Sequence, residues 1–430
     1  MANEQKGRLP VSEDLPWYRA IGWECWRVLI AGWGVWALDA VDFLSITFVL
    51  ADISKTFHVS LRVTALLLFA TYGVRWLGGL LFGSVSDRIG RKIPLLIALA
   101  WFTVAAALTG LAWSFAALVV FRLLLGFGMA PGFSLGATLI AETWPEKYRA
   151  IGIGIHDSGW GIGGLGAATV YGFIYPYTGW RGIFFVGIVP AILLGLFIAY
   201  FVPESRVWRE DRQKKTRRGA AAVRLFQQYP GRVALLSVLM LFLFFSNWPM
   251  LGLFPSFLKS LHLPVSRIAA LTATTAIGQV VGFLSSGVIA ERFGRRNGLT
   301  AMLALGALCV VFLVLVIHSF ALAEIAAFLS GAFLIGAAGI WGSILSENLP
   351  TDVRASGVGF LYNIGSFGGG LAPFVVLSGI HRFGLRFGSG LAIATIIAAI
   401  LAIATLRFVH ETRGVSIEDV DSAATAPGRP

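Results

Sequence analysis

The hydrophobic positions of this chain form twelve long runs separated by short polar segments. Each run holds about 20 or more mostly apolar residues, which is enough to cross a bilayer as a helix. None shows the alternation of apolar and polar residues that a membrane β-strand requires. The pattern therefore predicts an all-α membrane protein with twelve transmembrane helices. We number them spans 1 to 12, near residues 26–50, 63–84, 93–113, 116–141, 150–175, 182–202, 233–258, 266–289, 298–317, 320–345, 355–379 and 387–409.

The composition agrees with a membrane protein. Hydrophobic residues make up 57% of the chain, charged residues 13%, and the mean hydropathy is +0.79, whereas a soluble protein carries about 25% charged residues. The first 24 residues are polar and lack the features of a cleavable signal peptide. We therefore expect both termini in the cytoplasm of a cell whose inner membrane holds the protein, since the number of spans is even.

The basic residues favour the same orientation. Of the 34 Lys and Arg residues, 25 lie on the side of the termini and 7 on the other, as the positive-inside rule requires. The net charge of +12 then reflects a basic cytoplasmic face against anionic lipid, and not binding of nucleic acid.

Three short motifs occur twice in the chain, at an offset of 204 or 205 residues. The pairs are GSVSDRIGRK at 83–92 with GVIAERFGRR at 287–296, ETWPEKYR at 142–149 with ENLPTDVR at 347–354, and GWR at 179–181 with GLR at 384–386. Three matches in register predict a duplicated unit of six helices. We expect an N-terminal six-helix bundle at 1–202, a cytoplasmic linker at 203–232, a C-terminal six-helix bundle at 233–410 and a cytoplasmic tail at 411–430.

The repeated loops after spans 2, 4, 8 and 10 are predicted to form a gate. Glycines permit a sharp turn, and Asp87 near a helix end can accept hydrogen bonds from backbone N–H groups and from Arg residues across the interface. Such a latch would hold the inner ends of the halves together while a cavity faces outward. A merely charged turn is the alternative, and the repetition disfavours it. The expected gating residues are Gly83, Asp87, Arg88, Gly90, Arg91, Glu142, Arg149, Glu291, Arg292, Glu347 and Arg354.

Two carboxylates, Asp39 and Asp42, lie in the middle of span 1 on one helix face, one turn after Trp36. A charged side chain at the bilayer centre costs at least about 2.5–3.5 kcal/mol, so these groups require a water-filled cavity, a basic partner or a bound proton. At about 1.5 Å per residue, Asp42 lies at the depth of Arg122 in span 4, and Asp39 at the depth of Arg75 in span 2. The depths predict two pairs, Asp42 with Arg122 and Asp39 with Arg75.

These residues carry a family resemblance. The loop at 83–92, its copy at 287–296 and RLLLGFG at 122–128 resemble the signature motifs of the major facilitator superfamily. Within it, LDAVDF at 38–43, RWLGG at 75–79, GWRGIFF at 179–185 and YNIG at 362–365 are similar to the sialate and lactate proton symporters. The resemblance implies two six-helix bundles and transport of a carboxylate with a proton. At 131–133 the chain has Pro-Gly-Phe where sialate-type members have an acidic residue, so no particular carboxylate is implied.

Proton coupling is assigned to Asp39, Asp42 and Arg122. Proton-coupled sugar porters of the superfamily also set an acidic residue of helix 1 against an Arg of helix 4. The proton affinity of a buried carboxylate depends on its neighbours, so movement of the halves would let Asp42 bind a proton on one side and release it on the other. A fixed structural bridge between Asp42 and Arg122 is the alternative.

Substrate binding is assigned to groups near the midplane, where transporter substrates bind between the repeats. The guanidinium fork of Arg75 fits a carboxylate, unless Arg75 only neutralises Asp39. His156 and Asp157 open span 5, where the sugar porters have a cavity-facing Gln; they tune substrate or protonation, or simply bridge each other. The second half offers neutral hydrogen-bonding groups in place of charges. The expected substrate contacts are Arg75, Trp36, His156, Asp157, Trp160, Asn247, Gln279, Tyr362 and Asn363.

The leading functional hypothesis is a secondary active transporter, not an enzyme, that imports an organic monocarboxylate such as sialic acid or lactate with a proton by alternating access. An exporter or antiporter of organic anions or drugs is the alternative within the same fold. A membrane-embedded sensor or enzyme is disfavoured, because no metal-ligand cluster, nucleophile–base motif or phosphate loop occurs in the sequence. We expect no cofactor other than the coupling proton, and a monomer.

Overall fold

The computed structural model describes residues 18, 21–145, 149–205, 209, 221–349 and 354–412. Within these ranges the regular elements are helices, and every predicted span coincides with one helix or with a series of helical segments. The predicted all-α membrane fold is confirmed.

The first half contains spans 1 to 6. Two of its helices begin at a serine that caps them: the hydroxyl of Ser60 accepts a hydrogen bond from the N–H of Val63, and that of Ser114 from the N–H of Ala117. Span 1 is Trp23–Thr56; span 2 is Leu61–Thr64, Leu66–Gly73 and Arg75–Ile89; span 3 is Lys92–Gly110; span 4 is Phe115–Thr143; span 5 is Arg149–Phe173; span 6 is Tyr175–Gly182, Ile183–Phe185 and Ile188–Phe201.

The second half contains spans 7 to 12, and a short helix, Ala221–Gln228, precedes it within the predicted linker. The exact boundaries of the two predicted bundles stay a prediction. Span 7 is Pro230–Ser260; span 8 is Val265–Phe293; span 9 is Arg295–Val316; span 10 is Phe320–Ser330, the π-helical Gly331–Ile335, the 3-10 helical Gly336–Ile340 and Trp341–Glu347; span 11 is Arg354–Phe383; span 12 is Phe387–Leu406.

Ten of the spans in the described ranges are long and apolar enough to cross a membrane by length and composition alone. The other two are span 2, which is interrupted at Ala65 and Val74, and the glycine-rich span 5. Glycine contributes little hydropathy, and it permits close packing of neighbouring helices. Both of these spans face the other half of the protein, so they need less apolar surface than a helix surrounded by lipid.

The duplication read from the sequence extends to the backbone. Positive φ angles occur in the described residues in three pairs, each offset by 204 or 205 residues. The pairs are His58 (53°) with His262 (57°), Gly90 (104°) with Gly294 (93°), and Gly179 (66°) with Gly384 (62°). The two halves therefore turn the chain in the same way at equivalent loops.

The duplication also governs how helices pack within each half. A Cβ on Gly126 in span 4 would lie 1.8 Å from the carbonyl oxygen of Thr71 in span 2, and a Cβ on Gly331 in span 10 would lie 2.0 Å from that of Thr275 in span 8. Only glycine permits this approach. Spans 2 and 4 thus touch backbone to backbone, as do spans 8 and 10.

The halves meet along three pairs of spans: 1 with 7, 2 with 11, and 5 with 8. Aromatic side chains lie at this interface; the rings of Phe69 and Phe367, for example, are 5.0 Å apart. We call the end of the bundle where span 1 begins and span 12 ends the terminal end, and the opposite end the distal end.

Candidate functional site

A cavity of about 130 Å³ lies between the two halves. Its wall combines aromatic rings with a few polar groups, and it reaches toward the terminal end as far as Leu345 in span 10 and Val358 in span 11. Span 10 lines it through the irregular segment that contains Ile335 and Gly339. Departures from regular helix geometry of this kind are frequent at functional sites.

Three of the nine predicted substrate contacts lie outside this cavity wall in the present conformation. Arg75 is bound to Asp39, His156 is fully buried against Trp36, and the amide of Asn363 donates to the carbonyl oxygen of Gly359 at 2.9 Å. The other six predicted contacts line the cavity: Trp36, Asp157, Trp160, Asn247, Gln279 and Tyr362.

The second half supplies polar atoms that are buried and have no hydrogen-bond partner among the described residues. They are Oδ1 of Asn247, Nε2 of Gln279 and Nε1 of Trp341. All three residues line the cavity, and buried polar groups normally have partners. A ligand or water in the cavity would satisfy them.

The first half places a buried ion pair beside the cavity. Nη2 of Arg75 lies 3.4 Å from Oδ2 of Asp39, and both side chains are almost completely buried. The guanidinium also lies 5.3 Å from the ring centroids of Trp36 and Tyr72, which line the cavity. Gly132 of the Pro-Gly-Phe segment packs next to the pair, where a Cβ would lie 3.4 Å from the Asp39 carboxylate, an ordinary contact distance. In this conformation Arg75 is a counter-ion of Asp39, the second of the two roles considered above.

Asp42 and Arg122, the second predicted pair, act on each other electrostatically but form no direct ion pair in this conformation, so their pairing stays a prediction. No ion-pair partner of Asp42 is found in the described part of the chain, and its carboxylate lies against Gly187 of span 6, where a Cβ would come within 2.9 Å of Oδ1. Arg122 instead donates from Nε to Oγ1 of Thr71 at 3.0 Å. Equal depth in the membrane put the two residues at one level, but it did not determine the direction of either side chain around its helix.

Arg122 nevertheless lacks hydrogen-bond partners for part of its guanidinium group. It is completely buried, its Nη1 and Nη2 atoms have no hydrogen-bond partner among the described residues, and its guanidinium lies 5.7 Å from the ring centroid of Phe43. A buried cation with two free nitrogens is costly to maintain. Thr71 and Phe43 were not selected from the sequence, because a Thr or a Phe inside an apolar span gives no signal of its own.

His156 and Asp157 contact each other. Nδ1 of His156 is 3.1 Å from Oδ1 of Asp157. The imidazole stacks on Trp36. It also lies so close to Gly136 in span 4 that a Cβ at that position would be 2.6 Å from Nε2. Asp157 faces the cavity with about a third of its side chain exposed. Of the two predicted residues, only Asp157 can meet a ligand directly here.

The distal end of the cavity is closed by contacts between the halves. The ring of Trp248 in span 7 packs against Phe43 and Tyr72, with centroids 5.3 and 4.7 Å away. Closer to the distal surface, Lys259 of span 7 forms an ion pair with Asp52 of span 1.

Tyr175 completes the distal contact, which we call the distal latch: Asp52, Tyr175 and Lys259. Its hydroxyl donates to Oδ2 of Asp52 at 3.0 Å and accepts from Nζ of Lys259 at 3.1 Å. Sequence reasoning missed this latch, since the motif repeat relates equivalent positions and these three residues are not equivalent.

At the terminal end, the ion pairs in the described ranges lie within each half. Arg91 pairs with Glu142 at 3.2 Å, and Arg295 pairs with Glu347 at 3.1 Å. These are the same contact in two copies. The predicted gating residues include Arg91 but not its copy Arg295. Arg292, the copy of Arg88, is exposed and lies over the ring of Phe293.

Each half carries a further carboxylate that sequence analysis did not select. Glu204 accepts hydrogen bonds from the N–H groups of Arg91 and Lys92 at the start of span 3, the shortest 2.7 Å. Glu411 does the same for Arg295 and Arg296 at the start of span 9, at 2.8 and 3.1 Å. The sequence signal is a repeated Glu-Ser/Thr-Arg after spans 6 and 12, at 204–206 and 411–413.

The remaining gating predictions fall largely outside the described atoms. Gly90 has the positive φ of a tight turn, 104°. The side chains of Asp87, Arg88, Arg149, Glu291 and Arg354, and the surroundings of Gly83, lie outside the part of the chain that the structure describes.

A bundle of helical spans in two equivalent halves, with a cavity between them and ionisable groups at mid-membrane depth, is the architecture of a secondary transporter. The sequence matches the family model of the Major Facilitator Superfamily over residues 30–373. The chain therefore belongs to the Major Facilitator Superfamily, and the resemblance read from the motifs is confirmed.

Relatives match over nearly the whole chain. A probable 4-methylmuconolactone transporter of Cupriavidus pinatubonensis is 30% identical, over 96% of this chain and 97% of its own. A sialic acid transporter of Escherichia coli is 28% identical, over 86% of this chain and 91% of its own. The inward-open structure of the xylose transporter of E. coli has a TM-score of 0.72 at 18% identity, covering 93% of this chain and 99% of that chain, and shows the same fold.

Proposed function

We propose that this protein is a proton-coupled secondary transporter that imports an organic monocarboxylate by alternating access. The observation that carries the proposal is the set of four buried ionisable side chains in the first half, Asp39, Asp42, Arg75 and Arg122, next to a cavity between the halves. Buried charges in a membrane are expensive and mark ion or substrate pathways. The names of the relatives, transporters of a muconolactone and of sialic acid, favour an organic acid.

In the proposed mechanism Asp42 carries the proton. Its carboxylate lies in a buried site without an ion-pair partner among the described residues, an environment that suits a neutral, protonated acid. Arg122 holds two buried nitrogens free. When the halves move, release of the proton and pairing of Asp42 with Arg122 would satisfy both groups, and the next proton would separate them again.

We propose that the Asp39–Arg75 pair leaves no net charge beside the cavity. The Arg75 guanidinium lies 5.3 Å from the ring centroids of Trp36 and Tyr72, which line the cavity, whereas Arg75 is not part of the cavity wall. A substrate carboxylate would reach Arg75 only after a change of conformation. In the conformation described here, the unpartnered donors in the cavity wall are those of Gln279 and Trp341, and we assign the substrate carboxylate to them.

The closed distal latch and the cavity that extends to the terminal end support an inward-facing state. The excess of basic residues on the terminal side favours a cytoplasmic location of that end, and the reported relatives are bacterial. We infer a monomer in the inner membrane, with both termini in the cytoplasm. Opening of the distal latch would accompany the outward-facing state.

The test is uptake into proteoliposomes under an imposed pH gradient, acid outside, with radiolabelled lactate, sialic acid and benzoate. We expect accumulation of at least one acid that collapses with a protonophore. Asp42→Asn should abolish accumulation but retain exchange of internal for external substrate, because exchange needs no net proton movement. Accumulation by Asp42→Asn at the normal level would remove Asp42 from proton coupling.

An exporter or antiporter of organic anions has the same fold and cavity. The same vesicles decide the direction of coupling: loss of preloaded acid against its gradient, driven by protons that enter in exchange, would favour the antiporter and contradict symport.

A further inference from the structure

The cavity wall presents a charged acceptor from the first half and neutral hydrogen-bonding groups from the second, among them the unpartnered acceptor Oδ1 of Asn247. The first half presents a carboxylate, Asp157, and the second half presents an indole N–H, Trp341, and an amide, Gln279. By their positions in spans 5 and 10, Asp157 lies about 12 Å and Trp341 about 9 Å from the terminal end. The acceptor and the donor therefore face one cavity from the two halves at similar depth.

Two polar groups of the second half are buried and lack hydrogen-bond partners among the described residues. Trp341 and Gln279 are at most 6% exposed, and their side-chain nitrogens have no partner among the described residues. The indole nitrogen can only donate a hydrogen bond. A ligand group that accepts hydrogen bonds, such as a carboxylate, satisfies either nitrogen.

Asp157, in contrast, requires a hydrogen-bond donor from the ligand. One of its oxygens, Oδ1, is 3.1 Å from Nδ1 of His156, and about a third of the side chain remains exposed in the cavity. An ionised carboxylate accepts hydrogen bonds and donates none. A ligand with only a carboxylate would bring a second negative charge toward Asp157 and strip water from it without replacing the lost hydrogen bonds.

We propose that the transported acid carries a second polar group that donates a hydrogen bond, a hydroxyl or an N–H, and that Asp157 is the residue that selects for it. The substrate class is thus a hydroxylated or N–H-bearing monocarboxylic acid, held by its carboxylate on the second half and by its donor on the first. This inference rests on the proposed function for the carboxylate. A ligand held in this way joins the two halves across the cavity.

The experiment measures dissociation constants on the purified full-length protein, by titration calorimetry, for pairs of acids that differ by one hydroxyl: propionate with lactate, and benzoate with 4-hydroxybenzoate. In the pair whose carbon skeleton fits, the hydroxylated member should bind about tenfold tighter or more, the value of one hydrogen bond to a charged group. Asp157→Ala should remove that difference. Asp157→Asn, which keeps an acceptor oxygen and the shape of the side chain, should retain part of it.

Gln279→Leu is the matched control. It should weaken both members of a pair and leave their ratio unchanged, because it removes a contact to the carboxylate that they share. Equal binding of the two members to the unmodified protein, or an unchanged ratio in both Asp157 variants, overturns the selection by Asp157. If neither member of any pair binds, the monocarboxylate class of the proposed function is wrong, and this inference with it.

Discussion

Replacing one partner of the Asp39–Arg75 ion pair should destabilise the protein, and the loss should depend on which partner is replaced. Asp39→Asn leaves a buried guanidinium that cannot lose its charge, whereas Arg75→Gln leaves a carboxylate that can take up a proton and become neutral. We therefore expect Asp39→Asn to be the more damaging change, and the double variant Asp39→Asn/Arg75→Gln to recover most of the loss.

The magnitude follows from the geometry. At the observed separation of 3.4 Å and an effective dielectric constant of about 20, the attraction is about 5 kcal/mol. Desolvation of the two groups offsets most of it, so the net contribution of the intact pair is small, but removal of one partner from a buried pair costs about 3–5 kcal/mol. Asp39→Asn should reach this range, and the double variant should lose less than about 2 kcal/mol.

The assay is the free energy of unfolding in mixed micelles from denaturant titration, with binding of a transported acid measured on the same samples. Nearly equal losses of unfolding free energy in Asp39→Asn and in the double variant would refute the reasoning, because the double variant no longer contains the unpaired Arg75 guanidinium. Binding also separates the two roles considered for Arg75. A stable double variant that still binds the acid has Arg75 as a counter-ion only, whereas a stable variant without binding makes Arg75 a substrate contact.

Three further changes test other parts of the structure. Lys259→Met removes the ion pair with Asp52 and should make the distal end open more often, so a fluorescent thiol reagent applied from the distal side should label a cysteine placed in the cavity faster. The exchange Asp52→Lys/Lys259→Asp should restore slow labelling. Equal labelling rates in all three proteins would contradict the latch. Gly126→Ala should sharply lower the yield of monodisperse protein, because its Cβ would lie 1.8 Å from a backbone oxygen. Gly154→Ala is the control and should purify normally, because its Cβ would have no neighbouring atom within 4 Å among the described residues. Similar yields of the two variants would contradict the close packing. Glu204→Ala should cost about 1 kcal/mol of unfolding free energy, the usual value of a helix N-cap, and no loss would mean that water replaces the carboxylate.

Much of the architecture could be predicted from the sequence. Apolar runs of membrane length determined the spans, because a helix in lipid must satisfy its own backbone groups. The repeated loops determined the two halves, and equivalent motifs such as Arg91–Glu142 and Arg295–Glu347 form the same contact twice. Six cavity residues could be found because polar or Trp side chains stand out in apolar sequence.

Other features could not be predicted, for physical reasons. Depth along a helix follows from residue counts, but the direction of a side chain depends on helix rotation and on the neighbours, so depth alone did not reveal the contact of Asp42 with Gly187. The aromatic part of the cavity wall, such as Tyr72 and Phe133, has the same composition as ordinary core. The distal latch joins residues without equivalent positions in the two halves, so no repeat reveals it.

The two carboxylates Glu204 and Glu411 have a mechanical consequence. Each fastens the chain after the sixth helix of its half to the beginning of the third, and these two helices also pack against each other. A tie of this kind at one end makes it harder for the two helices to move apart. Motion of span 6 where it meets Asp42 would therefore be passed on to span 3 and not absorbed by span 6 alone.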